Sequence, residues 1–213
     1  MNSVQSLFDL LIHLDKHLAF FIQSFGDWSY IILFLIIFCE TGLVILPFLP
    51  GDSLLFTAGA IAGATSTLHI QWLFPILWLA AIAGDSTNYG IGFFARTRIF
   101  RGKKIPLIKK KHLEQTQLFY KRHGGKTIVL ARFIPIIRTF APFVAGIGEM
   151  TYWRFLFYSF FGSMAWISTF TLGGYFFGNL AFVKANFTIM IFTIVCISMI
   201  PAIFEMLHNI FRK

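Results

Sequence analysis

Ala131–Gly148 reads ARFIPIIRTFAPFVAGIG. The stretch is almost wholly apolar, yet it carries two arginines, two prolines and two glycines. It follows a strongly basic segment and precedes another hydrophobic run. An arginine at the centre of a bilayer costs about 2.5–3.5 kcal/mol on insertion scales. Pro135 and Pro142 each remove a backbone donor and disfavour a continuous helix. A straight, lipid-facing helix is therefore a poor solution. The pattern predicts a broken, re-entrant segment enclosed by protein, with Arg132 and Arg138 turned toward a polar cavity.

The remainder of the chain supplies the setting for such a cavity. Of its 213 residues 57% are hydrophobic and only 13% charged, with a mean hydropathy of +0.73. Soluble domains carry about 25% charged residues, so this composition is that of an integral membrane protein of one domain. The net charge of +9 is concentrated: eleven of the eighteen Lys and Arg lie between Arg96 and Lys126, where Glu114 is the sole acid. Such a segment stays cytoplasmic and meets anionic headgroups. Nucleic-acid binding is excluded, because no soluble recognition module accompanies the charge. Cys39 and Cys196 both sit in hydrophobic runs and match no metal or disulfide pattern, and no histidine lies deep in such a run. No metal or other cofactor is expected.

Working outward, residues 4–25 have helical apolar spacing and predict an amphipathic interfacial helix within an N-terminal unit, residues 1–27. Trp28–Pro47 is a hydrophobic span interrupted by Glu40 alone. Pro47–Ala64 opens with Pro47, Pro50, Gly51 and Asp52, so a turn is followed by a short helix whose first backbone donors Asp52 can satisfy. Gln71–Ala95 is a further span, whose second half holds Asp85, Asn88 and Tyr89 and is too polar to face lipid. The basic segment 96–126 contains a short surface helix, marked by Ile108, Leu113 and Phe119. Thr151–Gly178 and Lys184–Leu207 are the last two spans. The expected architecture is an all-α integral membrane protein. A transport core, residues 28–180, is followed by a C-terminal helix and tail, residues 181–213. Two opposed re-entrant hairpins with about four full crossings satisfy the charge asymmetry when the basic segment and C-terminus are cytoplasmic. Pro47, Pro50, Gly51, Pro135 and Pro142 are the expected hairpin turns. PGDSLLFTAGAIAG and RTFAPFVAGIG echo each other faintly, which suggests an inverted repeat with its site near the midplane.

Glu40, Asp52, Asp85, Arg132 and Arg138 are the ionisable residues placed at membrane depth. They either neutralise one another structurally or line a substrate or proton path. Their chemistry divides the roles. A guanidinium stays charged and clamps phosphate or carboxylate bidentately, so Arg132 and Arg138 are candidate anion ligands. A carboxylate in apolar surroundings can exchange protons, which suits Glu40, with Asp52 sharing that role or capping its helix. Asp85, Asn88 and Tyr89 are supporting polar residues, with a structural role for Asp85 the stronger reading.

These residues also carry a resemblance. Glu40 followed by LPFLPGDSLLFTAGAIAG, then GDSTNYGIG, then ARFIPIIRTFAPFVAGIGEM with Phe155, is similar to the DedA family, which carries the SNARE-associated (VTT) domain. The resemblance spans about residues 30–180. It implies two re-entrant hairpins facing each other in an inverted repeat in the bacterial inner membrane. It further implies lipid movement across the bilayer, with undecaprenyl phosphate as the substrate of some members and proton-motive-force maintenance or drug tolerance linked to others. The family's essential acids and arginines correspond here to Glu40, Asp52, Arg132 and Arg138. One departure is that Gly92-Phe93 stands where many members have Gly-Arg.

The expected function is therefore a lipid transporter, not an enzyme. It would move a polyprenyl phosphate or another anionic phospholipid, coupled to protons. Three other readings stay open: a proton-coupled antiporter of small cations or drugs, an intramembrane phosphatase, and a non-transporting scaffold. The phosphatase lacks a histidine at membrane depth. Self-association into a homo-oligomer is compatible with all of them.

Overall fold

The computed structural model describes residues 25–43, 51–100, 124–148 and 150–181. These residues form helices: α1 (Trp28–Gly42), α2 (Gly51–Ala64), α3 (Ile70–Phe100), α4 (Lys126–Ala131), α5 (Pro135–Ile147), α6 (Tyr152–Ile167) and α7 (Gly173–Phe177), with a π-helical turn, Ser168–Leu172, joining the last two. Residues 1–24, Pro47, Pro50, the short helix expected near 108–119 and the C-terminal span from residue 182 lie outside the described residues.

Polarity is inverted relative to a soluble domain. The outer surface presents Trp28, Trp72, Leu79, Phe94, Leu130, Trp153, Phe157 and Phe176, whereas Glu40, Asp52, Asp85, Asn88, Arg132 and Arg138 are buried. Buried charge under an apolar exterior is what a bilayer solvent selects. The segment Tyr152–Phe177 is long and apolar enough to cross a membrane.

Contacts set the directions of the helices. The His69 backbone N–H donates to the Tyr30 hydroxyl oxygen at 2.7 Å at one end of α1, and Gly42 meets Gly84 at the other end. Helices α1 and α3 therefore run the same way. Likewise α4 follows α6, with Gly125 against Tyr158 and Arg132 against Gly162. Asp85 faces Ser159 and Tyr89 faces Phe155, so α3 and α6 run in opposite directions.

Two corrections to the sequence reading follow. Pro142 is not at a turn: it lies inside α5, which runs through it. Its missing N–H leaves the Arg138 carbonyl without the usual helical donor, but the helix continues on either side. The break instead falls at residues 132–134, and Pro135 opens α5, where its absent N–H costs nothing. Second, α3 does not stop at Ala95; it carries Arg96 and continues to Phe100, so the start of the basic segment is helical.

Four glycines fix how the short helices lie on the long ones. On α2, a Cβ at Gly59 would overlap the Thr171 carbonyl, and one at Gly174 would overlap the Phe56 carbonyl. On α5, a Cβ at Gly146 would overlap the Tyr89 carbonyl, and one at Gly92 would overlap the Phe143 carbonyl. In both cases the sequence is Phe-x-Ala-Gly, Phe56–Gly59 and Phe143–Gly146, and the opposing glycine lies three residues beyond the contacted carbonyl. Small residues of this kind let backbones meet where lipid gives no hydrophobic drive between helices.

Candidate functional site

The site is assembled where α1 ends, α2 begins and α5 crosses between them. Glu40 lies in the last turn of α1 and Asp52 is the second residue of α2. Gly51 permits this approach, because a Cβ there would occupy the position of the Glu40 carboxylate. Arg138, one turn into α5, lies between the two acids: its Nη2 donates to Glu40 Oε1 and its Nη1 to Asp52 Oδ1. One guanidinium thus spans two carboxylates supplied by different helices, all of them buried.

Arg132 pairs elsewhere. Its Nη2 donates to Asp85 Oδ2 of α3, and that same oxygen accepts a hydrogen bond from Ser159 Oγ of α6. The Arg132–Ser159 separation is 3.3 Å, closing a three-membered network. The two ion-pair groups are bridged by Trp166 of α6. The Arg138 guanidinium carbon lies 4.7 Å from its ring centroid and that of Arg132 lies 5.8 Å away. The indole Nε1 donates to Asp52 Oδ1 at 2.9 Å. Cation–π contacts strengthen when desolvated, and Trp166 is fully buried.

Asn88 ties the elements together, its Nδ2 donating to the carbonyls of Thr41 (2.9 Å) and Thr139 (2.7 Å). Tyr89 donates its hydroxyl to the Met150 carbonyl and lies outside the ion-pair network. The expected site residues accordingly fall into three places: Glu40, Asp52 and Arg138 together; Arg132 with Asp85; and Asn88 and Tyr89 as ties to the backbones of α1, α5 and the residues just before α6. Gly51 and Pro135 each begin a helix.

With this geometry in view, comparison with known proteins is decisive. Residues 49–176 match the VTT domain. Over 210 residues the chain is 45% identical to Protein DedA of Escherichia coli K12, covering 98% of this chain and 96% of that one. The chain belongs to the DedA family. Other members that resemble it are an uncharacterized membrane protein of Mycobacterium tuberculosis, 41% identical over 79% of this chain and 74% of the relative, and inner membrane protein YghB of Salmonella typhimurium, 35% identical over 74% and 71%. No solved structure matches the chain.

Two residues of this DedA-family site were not singled out from sequence: Ser159 and Trp166. The signal was available. Ser159, Gly162, Ser163 and Trp166 fall at i, i+3, i+4 and i+7, a small and polar stripe on one face of α6, and all four are buried. Trp166→Phe retains an aromatic face for Arg138 but removes the hydrogen bond to Asp52. The expected loss is about 1 kcal/mol, read as a lowered melting temperature in detergent. Trp166→Leu removes the ring face as well, and a melting temperature no lower than that of Trp166→Phe would refute the guanidinium contact.

Proposed function

We propose that this protein moves an anionic lipid phosphate, of the polyprenyl phosphate type, across the bacterial inner membrane in a proton-linked cycle. The observation that carries the reading is the Arg138 guanidinium held by Glu40 and Asp52 inside an apolar exterior. Among the described residues the buried charged groups are three carboxylates and two guanidiniums, so full ionisation of this set leaves one negative charge in excess. Proton uptake by Glu40 would remove that excess and release one face of Arg138. A phosphate group, which matches the same bidentate geometry, would then replace the carboxylate. Reionisation of Glu40 would expel the phosphate on the other side. The tail of such a substrate stays in lipid throughout, so only the headgroup needs a polar route.

An inverted repeat supports an alternating cycle of this kind. Helices α1, α2 and α3 supply the acids Glu40, Asp52 and Asp85, the break after α4 supplies Arg132, and α5 supplies Arg138. The matching glycine contacts of α2 and α5, with α3 and α6 opposed, support reading the two halves as such a repeat. On this reading α2 and α5 are the inner arms of two re-entrant hairpins among about four full crossings, and the basic segment 96–126 is cytoplasmic. The inner-membrane placement is supported by the relatives known as inner membrane protein YghB. The excess carboxylate also favours a second reading, proton-coupled antiport of a small cation or drug.

Reconstituted vesicles separate the two. Wild type is expected to translocate a labelled polyprenyl phosphate faster under an imposed pH gradient, and Glu40→Gln to lose that gradient dependence. Cation-driven proton flux with no lipid-phosphate movement would establish the antiporter instead.

A further inference from the structure

We infer that a cavity at the basic end of α3 is the vestibule through which a phosphomonoester headgroup reaches the buried arginines, and that the Tyr89–Phe155 ring pair is its gate. The inference rests on the lipid-phosphate reading for the ligand, but not for the existence of the route. The cavity has a volume of about 370 Å³ and is lined by Tyr89, Phe93, Arg96, Met150, Thr151 and Tyr152. Phe93 and Tyr152 are exposed at its rim. Arg96, the first residue of the most basic stretch of the sequence, brings positive charge to a wall that is otherwise mainly aromatic and apolar. A phosphomonoester on an apolar chain suits both features.

The antiparallel pair α3 and α6 arranges this region in layers, each about one turn or 5.4 Å apart. The innermost is Asp85 hydrogen-bonded to Ser159, the partners of Arg132. Four residues along each helix, Tyr89 stacks on Phe155 with centroids 4.6 Å apart and planes at 25°. Phe155 is fully buried and Tyr89 is 8% exposed, so the pair closes the layer. Beyond it lie the cavity and Arg96. Tyr89 is held shut by its hydroxyl bond to the Met150 carbonyl, and Tyr152, 5.5 Å from Tyr89, is tied to Ser86 at 3.2 Å. The septum is held by these two hydrogen bonds, by the ring contacts and by packing of both rings against Ile128, Ala145 and Met150. On this proposal, displacement of the two rings joins the cavity to the Arg132–Asp85 pair.

The test uses the full chain in vesicles, with Cys39 and Cys196 replaced by alanine and a reporter thiol at Ser159→Cys, just inside the septum. Ser163→Cys, one turn deeper, is the second reporter should the first fail to fold. Labelling by the anionic reagent sulfonatoethyl methanethiosulfonate is expected to be slow with the septum intact. It should accelerate at least about tenfold in Phe155→Ala and in the milder Phe155→Leu. Arg96→Gln should slow the anionic reagent by about tenfold while leaving its trimethylammonium counterpart unchanged. Unchanged labelling in both Phe155 variants, or equal effects of Arg96→Gln on both reagents, would overturn the route whatever the protein transports. Protection of the thiol by dodecyl phosphate at concentrations where inorganic phosphate has no effect is the expected ligand result. Equal protection by both would assign the vestibule to free phosphate, and protection by neither would remove the phosphomonoester from it; each of these overturns the lipid-phosphate assignment while leaving the gate to the labelling rates.

Discussion

Arg138→Ala is expected to lower folding stability by about 3–5 kcal/mol, because it strands buried Glu40 and Asp52 without a counter-charge. The readouts are the amount of protein in the membrane fraction and the melting temperature in detergent. The variant that separates structure from transport is the neutralised triple, Arg138→Ala with Glu40→Gln and Asp52→Asn. Removing all three charges removes the unpaired burial, so most of the stability should return, while lipid-phosphate translocation stays absent. A folding scaffold behaves differently, since the triple would then restore cellular function together with abundance. If the single variant Arg138→Ala melts with wild type, the three-residue ion pair contributes nothing and the site argument falls with it.

The second large effect is expected from Gly174→Val and Gly146→Val. At each position a new Cβ would enter a backbone carbonyl, that of Phe56 or that of Tyr89. A carbonyl in a helix cannot rotate aside as a side chain does, so α2 must leave α7, or α5 must leave α3. Overpacking of this kind costs about 1–3 kcal/mol for each substitution, and more where the backbone is held on both sides. Because α2 carries Asp52 and α5 carries Arg138, the separation also misplaces the ion pair, and transport should fall further than abundance. Gly90→Ala is the control: a Cβ there meets nothing within 4 Å. It should be neutral or slightly stabilising in the interior of α3. Equal melting temperatures for Gly90→Ala and Gly174→Val would show that the backbone contact is not tight.

Arginines and acids embedded in apolar text announce a buried polar cluster, since each is too costly to leave facing lipid. That much is legible at Glu40, Asp52, Asp85, Arg132 and Arg138, as is a break in the segment holding the two arginines. The position of the break is not legible. Two prolines are equally good candidates on sequence, and only the packing of α5 shows that Pro135 starts the helix and Pro142 is absorbed by it. The repeat was faint for a similar reason. Phe-x-Ala-Gly is common membrane text, and only packing shows that Gly59 with Gly174, and Gly146 with Gly92, meet opposing carbonyls in the same register.

The amino-acid sequence by itself determined that these charges exist, that they must be buried, and that the exterior must be oily. Which charge meets which was decided by the tertiary structure. Arg138 joins Glu40 across 98 positions of chain and Arg132 goes to Asp85 across 47. Trp166, unremarkable among 28 phenylalanines and five tryptophans, becomes the bridge between them. Coulomb attraction favours any opposite pair equally well along the chain. What selects one pair is the angular position of each side chain on its helix and the depth at which glycine contacts lock that helix, and both are properties of the packed bundle alone.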